Sequence, residues 1–229
     1  MRILNKKHIK LQHSTPVYDL TSPKYHNFVL GCGATVHNTA RLARDKSYQE
    51  ILPLKGKILN VYKAKEGKAF DSDEVLNILK VIGFDPTHKQ PLDHLRIGKL
   101  ILLSDSDVDG SHINVLILSL LAKYLPGMFE RNMVYIVNAP EYVTIVGDKM
   151  YYGNTLDELK KKVPGGKPTN VTHLKGWGEA SPEMLRETAF DPKTRKLLKV
   201  KMIEKAGMKE FVALMAENID YRAKLLGIV

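Results

Sequence analysis

The sequence predicts an α/β protein, in which a parallel sheet with flanking helices is followed by a mixed region of helices and strands. An apolar run at residues 100–103 is short enough for a buried strand, and it ends directly in acidic residues. A helix-like segment at residues 111–125 and a second apolar strand at 134–137 follow, as in βα units of parallel sheets. Residues 1–38 show no helical periodicity and predict a separate, short all-β segment.

Composition and charge narrow the class of protein. A chain of 229 residues can bury one large core or two small ones, and no apolar run reaches the roughly 18 residues of a membrane span. The single cysteine, Cys32, excludes an internal disulfide framework and suits a reducing cytoplasm. The net charge of +10 favours a polyanionic partner such as nucleic acid, although a merely basic protein would have the same charge.

Three alternating aspartates follow the predicted strand at residues 100–103, namely Asp105, Asp107 and Asp109. Carboxylates this close together repel one another unless a cation lies among them. Ligand sets made only of oxygen select Mg²⁺, Mn²⁺ or Ca²⁺. The pattern therefore predicts a metal site at the carboxyl end of a central strand.

Two other interpretations of the aspartates are weaker. A calcium-binding EF-hand loop would match Asp105 and its neighbours up to Gly110, but its twelfth position requires glutamate and here is Leu116. A helix cap formed by Asp109 or Ser111 would explain one aspartate and not three. The metal site remains the favoured hypothesis.

Basic residues lie on a predicted helix and on either side of a glycine in the first part of the chain after residue 38. A helix is predicted over residues 39–50, with Arg44 on its surface, and Lys55 and Lys57 flank a glycine between two apolar runs. A glycine permits close backbone approach, and lysines contact phosphate, although a solvated loop would look the same. Trp177 lies between two glycines, and simple packing is its favoured role.

Several stretches after residue 38 carry a resemblance. ILPLKGKILNVYKA, LLSDSDVDGSHI and HLKGWGE resemble the Toprim region of type II DNA topoisomerases of the gyrase B kind, and ETAFDPKTRKLLKV and ALMAENIDYRAKLL resemble the end of that subunit. The resemblance covers residues 39–229. It implies a Toprim-type parallel sheet over 39–147 and a C-terminal topoisomerase extension over 148–229, in part helical.

The resemblance also implies a chemistry. Mg²⁺, with Mn²⁺ possible, would be held by Asp105 and Asp107, with Asp109 as a second-metal or supporting carboxylate. It would assist cleavage and religation of double-stranded DNA by a tyrosine on an A-type subunit. The implied DNA contacts are Lys55, Lys57, Arg44 and Lys175.

Residues 1–38 carry a second resemblance. An asparagine side chain can attack its own backbone carbonyl and cut the chain after itself, if neighbouring groups supply a proton donor and a base. A hydroxyl group can accept an acyl group from another segment. The blocks VYDL, HNFVL and VHNT resemble the C-terminal half of a split intein. By this resemblance Asn38 cyclises, His26 and His37 assist, Asp19 assists branching, and Thr39 begins the joined product. The alternative is that the histidines are ordinary strand residues and Asn38 and Thr39 a loop.

The two resemblances interlock at position 39. In the topoisomerase family a catalytic glutamate lies in a motif just before the equivalent of Thr39, where this chain has intein-like residues. We therefore expect trans-splicing to a fragment that carries the glutamate and the ATP-binding region, and no DNA cleavage by this chain alone. We expect the protein in the cytoplasm, associated with the nucleoid. If a phage encodes it, we expect it in the cytoplasm of the host cell. The alternative is a Toprim DNA-binding or interaction module, or a nuclease, without topoisomerase activity.

Overall fold

The computed structural model describes residues 39–65, 67–87, 92–174, 176–202, 204–216, 219–225 and 227–228, and the backbone of 27–29 and 35–37. The chain divides into two units, Met1–Asn38 and Thr39–Val229. In the first unit, strands β1 (Asn27–Val29) and β2 (Thr35–His37) pair antiparallel, with Asn27 opposite His37. Three of the predicted splicing residues lie outside the described residues: Asp19, His26 and Asn38.

The second unit is built around a mixed sheet. Its order is β3 (Leu100–Leu102), β4 (Val134–Val137) and β8 (Leu197–Lys199). The pair β3–β4 is parallel, as predicted, but β8 runs antiparallel to β4. The prediction of a parallel sheet is therefore wrong for the third strand of the described sheet. A parallel strand needs a crossover that returns the chain to the same end, and residues 138–196 instead bring β8 in from the opposite end.

Three helices pack in one core with the strands β3 and β4. The apolar spacing and acidic first turn of residues 71–83 predict a helix, and α2 (Asp73–Ile82) agrees with it within two residues. The Ser72 side chain caps its first turn, and Gly83, at φ +86°, ends it in the left-handed conformation. Helix α3 (Val108–Tyr124) follows β3, and the short helix α4 (Gly127–Glu130) leads into β4. Their inner faces form the main core with β4, and its fully buried members include Val75, Leu79, Ile82, Leu120, Leu121, Met128 and Val134.

The first helix of this unit is shorter than expected. Helix α1 covers Thr39–Ala43, whereas the basic pattern predicted a helix to residue 50. The Asp45 carboxylate accepts hydrogen bonds from the backbone and side chain of Ser47, at 2.9 and 2.6 Å, and forms a turn there. Local side-chain bonds of this kind compete with helical backbone bonds. The prediction was wrong beyond Ala43 for that reason.

A second sheet follows the first along the chain. The sequence predicts a hairpin of residues 142–146 and 149–152 across Gly147 and Asp148. Strands β5 (Tyr142–Val146) and β6 (Lys149–Gly153) form this hairpin, and β7 (Thr172–His173) pairs with the other edge of β5. The expected division after residue 147 falls at the turn of this hairpin. Helix α5 (Leu156–Lys162) packs against the hairpin through Leu159, which is fully buried.

The remaining elements are short. Helix α6 (Pro182–Leu185) continues into a π-helical turn at Arg186–Phe190, and helices α7 (Lys205–Met215) and α8 (Ile219–Leu225) close the described chain. Among the described residues, four 3₁₀ turns connect other elements: Lys68–Asp71, Leu92–His94, Pro164–Gly166 and Trp177–Glu179. None of the helices in the described part is long and apolar enough to cross a membrane.

Candidate metal and nucleic-acid site

The turn between β3 and α3 presents two of the three aspartates. Asp107 is the N-cap of α3, and its Oδ1 accepts a hydrogen bond of 2.6 Å from the backbone N–H of Gly110. A Cβ at position 110 would lie 2.2 Å from the backbone oxygen of Asp105. The glycine is therefore required by this close approach, and the alternation of Asp105 and Asp107 places both exposed carboxylates at the strand end.

Asp105 is also held from a distant part of the chain. The backbone N–H of Trp177 donates to Asp105 Oδ1 at 2.8 Å, and the indole Nε1–H donates to the backbone oxygen of Ser104 at 2.8 Å. A Cβ at Gly176 would lie 2.7 Å from the same Asp105 oxygen. Trp177 therefore does more than pack, which the sequence reasoning missed. The glycines on either side of Trp177 were the signal for a close backbone approach.

Asp109 has a different partner from the other two aspartates. Lys57 Nζ lies 2.7 Å from Asp109 Oδ1, and this hydrogen bond and the lysine charge lower the pKa of Asp109. Two residues predicted for different roles, a metal carboxylate and a DNA-contacting lysine, are thus paired with each other. The pair compensates the charge of one of the three clustered aspartates.

The three aspartates supply only some of the ligands that a bound metal ion requires. Within the described residues, no three His, Cys, Asp or Glu side chains are grouped so that they could hold a metal. Mg²⁺ in proteins is commonly held by one or two carboxylates, with water or phosphate oxygens completing the octahedron. The exposed carboxylates of Asp105 and Asp107 fit that chemistry, whereas Asp109 is already bound to Lys57.

The predicted DNA-contacting residues differ in their surroundings. Lys55 is exposed in the loop that carries Lys57. Arg44 instead donates to the Gln49 backbone oxygen at 2.7 Å and to Glu50 Oε2 at 2.6 Å. Lys175 lies outside the described residues. The structure therefore brings Lys57 to the acidic turn and turns the guanidinium of Arg44 onto its own loop.

A second charged cluster, which sequence reasoning missed, lies beside the hairpin. Glu158 accepts hydrogen bonds from Lys162 at 2.6 Å, from the Asn154 backbone at 2.9 Å and from Lys196 at 3.0 Å. These donors, led by Lys162, lower the pKa of Glu158 to about 2. Lys162 and Lys196 also line an open cleft of about 440 Å³. The i, i+4 spacing of Glu158 and Lys162 was the readable signal, but Lys196 arrives only through tertiary packing.

Comparison with known proteins bears on the fold and on the site. Residues 33–138 match the Toprim domain family, and residues 166–226 match the family of the carboxyl terminus of the DNA gyrase B subunit. The Toprim match includes the last residues of the segment 1–38 that the sequence assigned to an intein. The matched regions together contain the acidic turn, the Lys57 loop and the KGWGE stretch.

Individual relatives agree with these families. The chain is 40% identical over 175 residues to the B subunit of DNA topoisomerase 4 from Escherichia coli strain K12, covering 73% of the chain and 27% of that protein. It is 34% identical over 198 residues to the DNA gyrase B subunit of Archaeoglobus fulgidus, covering 85% and 31% respectively. It is 30% identical over 215 residues to the DNA gyrase B subunit of Synechocystis, covering 92% and 20%.

A solved structure has the same fold. The crystal structure of the Plasmodium falciparum topoisomerase II DNA-binding, cleavage and re-ligation domain aligns with a TM-score of 0.63 and 23% identity. The alignment covers 76% of this chain and 24% of that one. Because the identity is low, this likeness bears on the fold alone.

The fold and the matched families define a Toprim domain followed by a gyrase B carboxyl-terminal domain. The chain is homologous to the B subunits of type II DNA topoisomerases over these regions. It spans 20–31% of the length of these three relatives. The sequence-based prediction of a topoisomerase region is confirmed at this level.

Proposed function

We propose that residues 39–229 form part of the DNA-cleaving core of a B-type subunit of a type II topoisomerase, with Asp105 and Asp107 as ligands of Mg²⁺ or Mn²⁺. The observation that carries the proposal is the β3–α3 turn. It presents two exposed carboxylates at a strand end, fixed by the cap at Gly110 and by the N–H of Trp177. This turn lies in the Toprim match, in a chain homologous to the B subunits of topoisomerases.

The residues of this chain have distinct roles in the proposed reaction. Asp105 and Asp107 bind the metal, which when bound stabilises charge on the DNA phosphate that a tyrosine from the A-type partner attacks. Asp109, paired with Lys57, supports the site from outside it. Lys55, Lys57 and Lys175 contact the DNA backbone and hold it in register. Arg44 joins them when its guanidinium leaves the Gln49 and Glu50 oxygens to which it donates in this structure. ATP binds only to the partner fragment.

We further propose that residues 1–38 are the C-terminal half of a split intein. The three sequence blocks VYDL, HNFVL and VHNT support this assignment, and the antiparallel pairing of β1 with β2 suits an all-β segment. Asn38 cyclises with help from His37 and His26, Asp19 assists branching, and Thr39 accepts the joined fragment. Splicing then adds the ATP-binding region and the metal-binding glutamate that complete the topoisomerase polypeptide.

The splicing step is tested with the full chain and an N-terminal fragment ending in the matching intein half. Such a fragment should be encoded by a neighbouring reading frame that ends in an intein half preceded by a glutamate motif. Mass spectrometry of the mixture should show a larger product that begins its second part at Thr39, together with released residues 1–38. Asn38→Ala should abolish release. A chain that stays intact after mixing, or unimpaired splicing by Asn38→Ala, contradicts the proposal.

The topoisomerase step is tested on the spliced product with its A-type partner, DNA, Mg²⁺ and ATP. Asp105→Asn with Asp107→Asn should abolish cleavage, because neutral amides hold Mg²⁺ weakly. Asp148→Asn, at the exposed hairpin turn, is the matched control and should retain activity. Activity that survives the double substitution would favour a DNA-binding or interaction module. Cleavage by this chain alone would favour a nuclease.

A further inference from the structure

The chain has one tryptophan, and it contacts the acidic turn at two points. The backbone N–H of Trp177 donates to Asp105 Oδ1, and the indole N–H donates to the Ser104 backbone oxygen, both at 2.8 Å. The first bond joins residues 72 positions apart. The two bonds attach the turn that contains Trp177 to the Asp105 side chain and to the Ser104 backbone.

Steric fit restricts the same turn. Gly176 has extended backbone, at φ −175°, which any residue adopts, so the glycine is not required by its conformation. A Cβ there would lie 2.7 Å from Asp105 Oδ1 and 2.8 Å from Asp105 Cγ, closer than real Cβ contacts. A methyl group at position 176 would therefore displace the Asp105 carboxylate from the position in which it accepts the hydrogen bond. Gly178, two residues later, has open space at the Cβ position.

The other side of Trp177 packs against apolar residues. The partly buried indole contacts the smaller core cluster, which contains Ala43, Val137, Val143, Ala180 and Met184. This packing and the indole hydrogen bond to the Ser104 backbone oxygen together restrict the position of the turn. The hydrogen bond from Trp177 engages Oδ1 of the exposed Asp105 carboxylate, so its second oxygen, Oδ2, is available for another partner.

We propose that Gly176 and Trp177 are positioning residues for Asp105: they hold Oδ1 and leave Oδ2 free to bind the divalent cation. This inference rests on the proposed function of Asp105 as a metal ligand. Hydrogen-bonded partners of a metal ligand commonly matter 10–100-fold for metal affinity. Gly176→Ala is therefore expected to weaken Mn²⁺ binding about tenfold or more, and Trp177→Phe, which keeps the ring and loses the indole N–H, to weaken it less.

The test uses the full chain labelled with ¹⁵N-tryptophan. A chain with a single tryptophan has one labelled backbone amide and one labelled indole, so both hydrogen bonds are read directly. Asp105→Ala should shift the amide signal and speed its exchange with solvent. Gly176→Ala should speed the exchange of the amide proton, whereas Gly178→Ala and Asp148→Ala, the matched controls, should leave its exchange rate unchanged. An amide signal that Asp105→Ala leaves in place overturns the inference.

Mn²⁺ titration separates this inference from the function on which it rests. Bound Mn²⁺ is paramagnetic, so binding at Asp105 should broaden both tryptophan signals, and Gly176→Ala should raise the Mn²⁺ concentration required. No broadening in the wild-type chain or in the spliced product contradicts the metal role of Asp105. Equal Mn²⁺ concentrations for wild type and Gly176→Ala contradict the positioning role while the metal role stands. Trp177→Phe removes the only tryptophan, so its Mn²⁺ binding is measured from the loss of the electron paramagnetic resonance signal of free Mn²⁺, with the wild type measured in the same way.

Discussion

Lys57 Nζ lies 2.7 Å from Asp109 Oδ1, so the third aspartate of the acidic run is paired with a lysine from a loop far away in sequence. Both side chains are largely exposed, so the pair contributes little to folding stability. The pair instead changes the surface charge, because the charges of Asp109 and Lys57 compensate each other where DNA and a metal ion are expected to bind. The two lysines of the LKGK stretch are therefore not equivalent.

This pairing predicts different effects of the two lysines on DNA binding. Lys55→Met should lower the slope of log affinity against log salt by about 1, because one phosphate contact is lost. Lys57→Met should lower it less, since Asp109 already compensates that charge. Fluorescence anisotropy with duplex DNA at several salt concentrations measures both slopes. Asp109→Asn, the reciprocal variant, should steepen the slope, and an equal loss for both lysines would contradict the prediction.

The close approach of the Asp105 backbone oxygen to Gly110 predicts that a methyl group at this position lowers the stability of the protein. Gly110→Ala should destabilise the protein by about 1–3 kcal/mol, because the new Cβ meets the Asp105 backbone oxygen and the turn must shift. Urea denaturation measures the loss. Gly98→Ala is the control, since a Cβ there meets nothing within 4 Å and should change stability by less than about 0.5 kcal/mol. Similar stability of the two variants would show that the turn is not tightly packed.

The main core predicts a larger effect at Leu120. This residue of α3 is 0% exposed, and Leu120→Ala should cost about 2–5 kcal/mol through lost burial and the cavity that remains. Val81, on the outer face of α2, is 41% exposed, so Val81→Ala should cost under about 0.5 kcal/mol. The difference is measured as a shift of the urea midpoint at constant slope. A loss at Leu120 no larger than the loss at Val81 would contradict the packing of α3 on the sheet.

The cluster at Glu158 predicts part of the pH dependence of stability. Its pKa is lowered from 4.5 to about 2 in the folded chain, first by the hydrogen bond from Lys162. A carboxyl with a lowered pKa in the folded state stabilises the protein above its unfolded pKa, and this contribution disappears as the pH falls towards 2. Glu158→Gln should therefore make the melting temperature depend less on pH between pH 4.5 and about 2.

The control for that measurement is Glu183→Gln, which removes one carboxylate from the exposed first turn of α6. The two variants have the same change in formal charge but different surroundings. If both flatten the curve equally, the effect arises from net charge and not from the contacts of Glu158 with Lys162 and Lys196.

Local rules of sequence were sufficient for many elements. The ends of α2 followed from its acidic first turn and from Gly83, and the hairpin of β5 and β6 from the turn residues Gly147 and Asp148. The order of strand, acidic turn and helix was readable because burial, capping and glycine act over a few residues. The same rules failed beyond Ala43, where the turn at Asp45 replaced the predicted helix.

The sequence by itself determined the acidic turn, the strand and helix that carry it and its resemblance to the topoisomerase region. Only the tertiary structure decided that β8 is antiparallel, that Lys57 pairs with Asp109, and that Trp177 holds Asp105. The physical reason is the range of the interactions. Caps and periodicity join residues within one or two turns of chain, whereas these contacts depend on how distant segments pack, which no local pattern specifies.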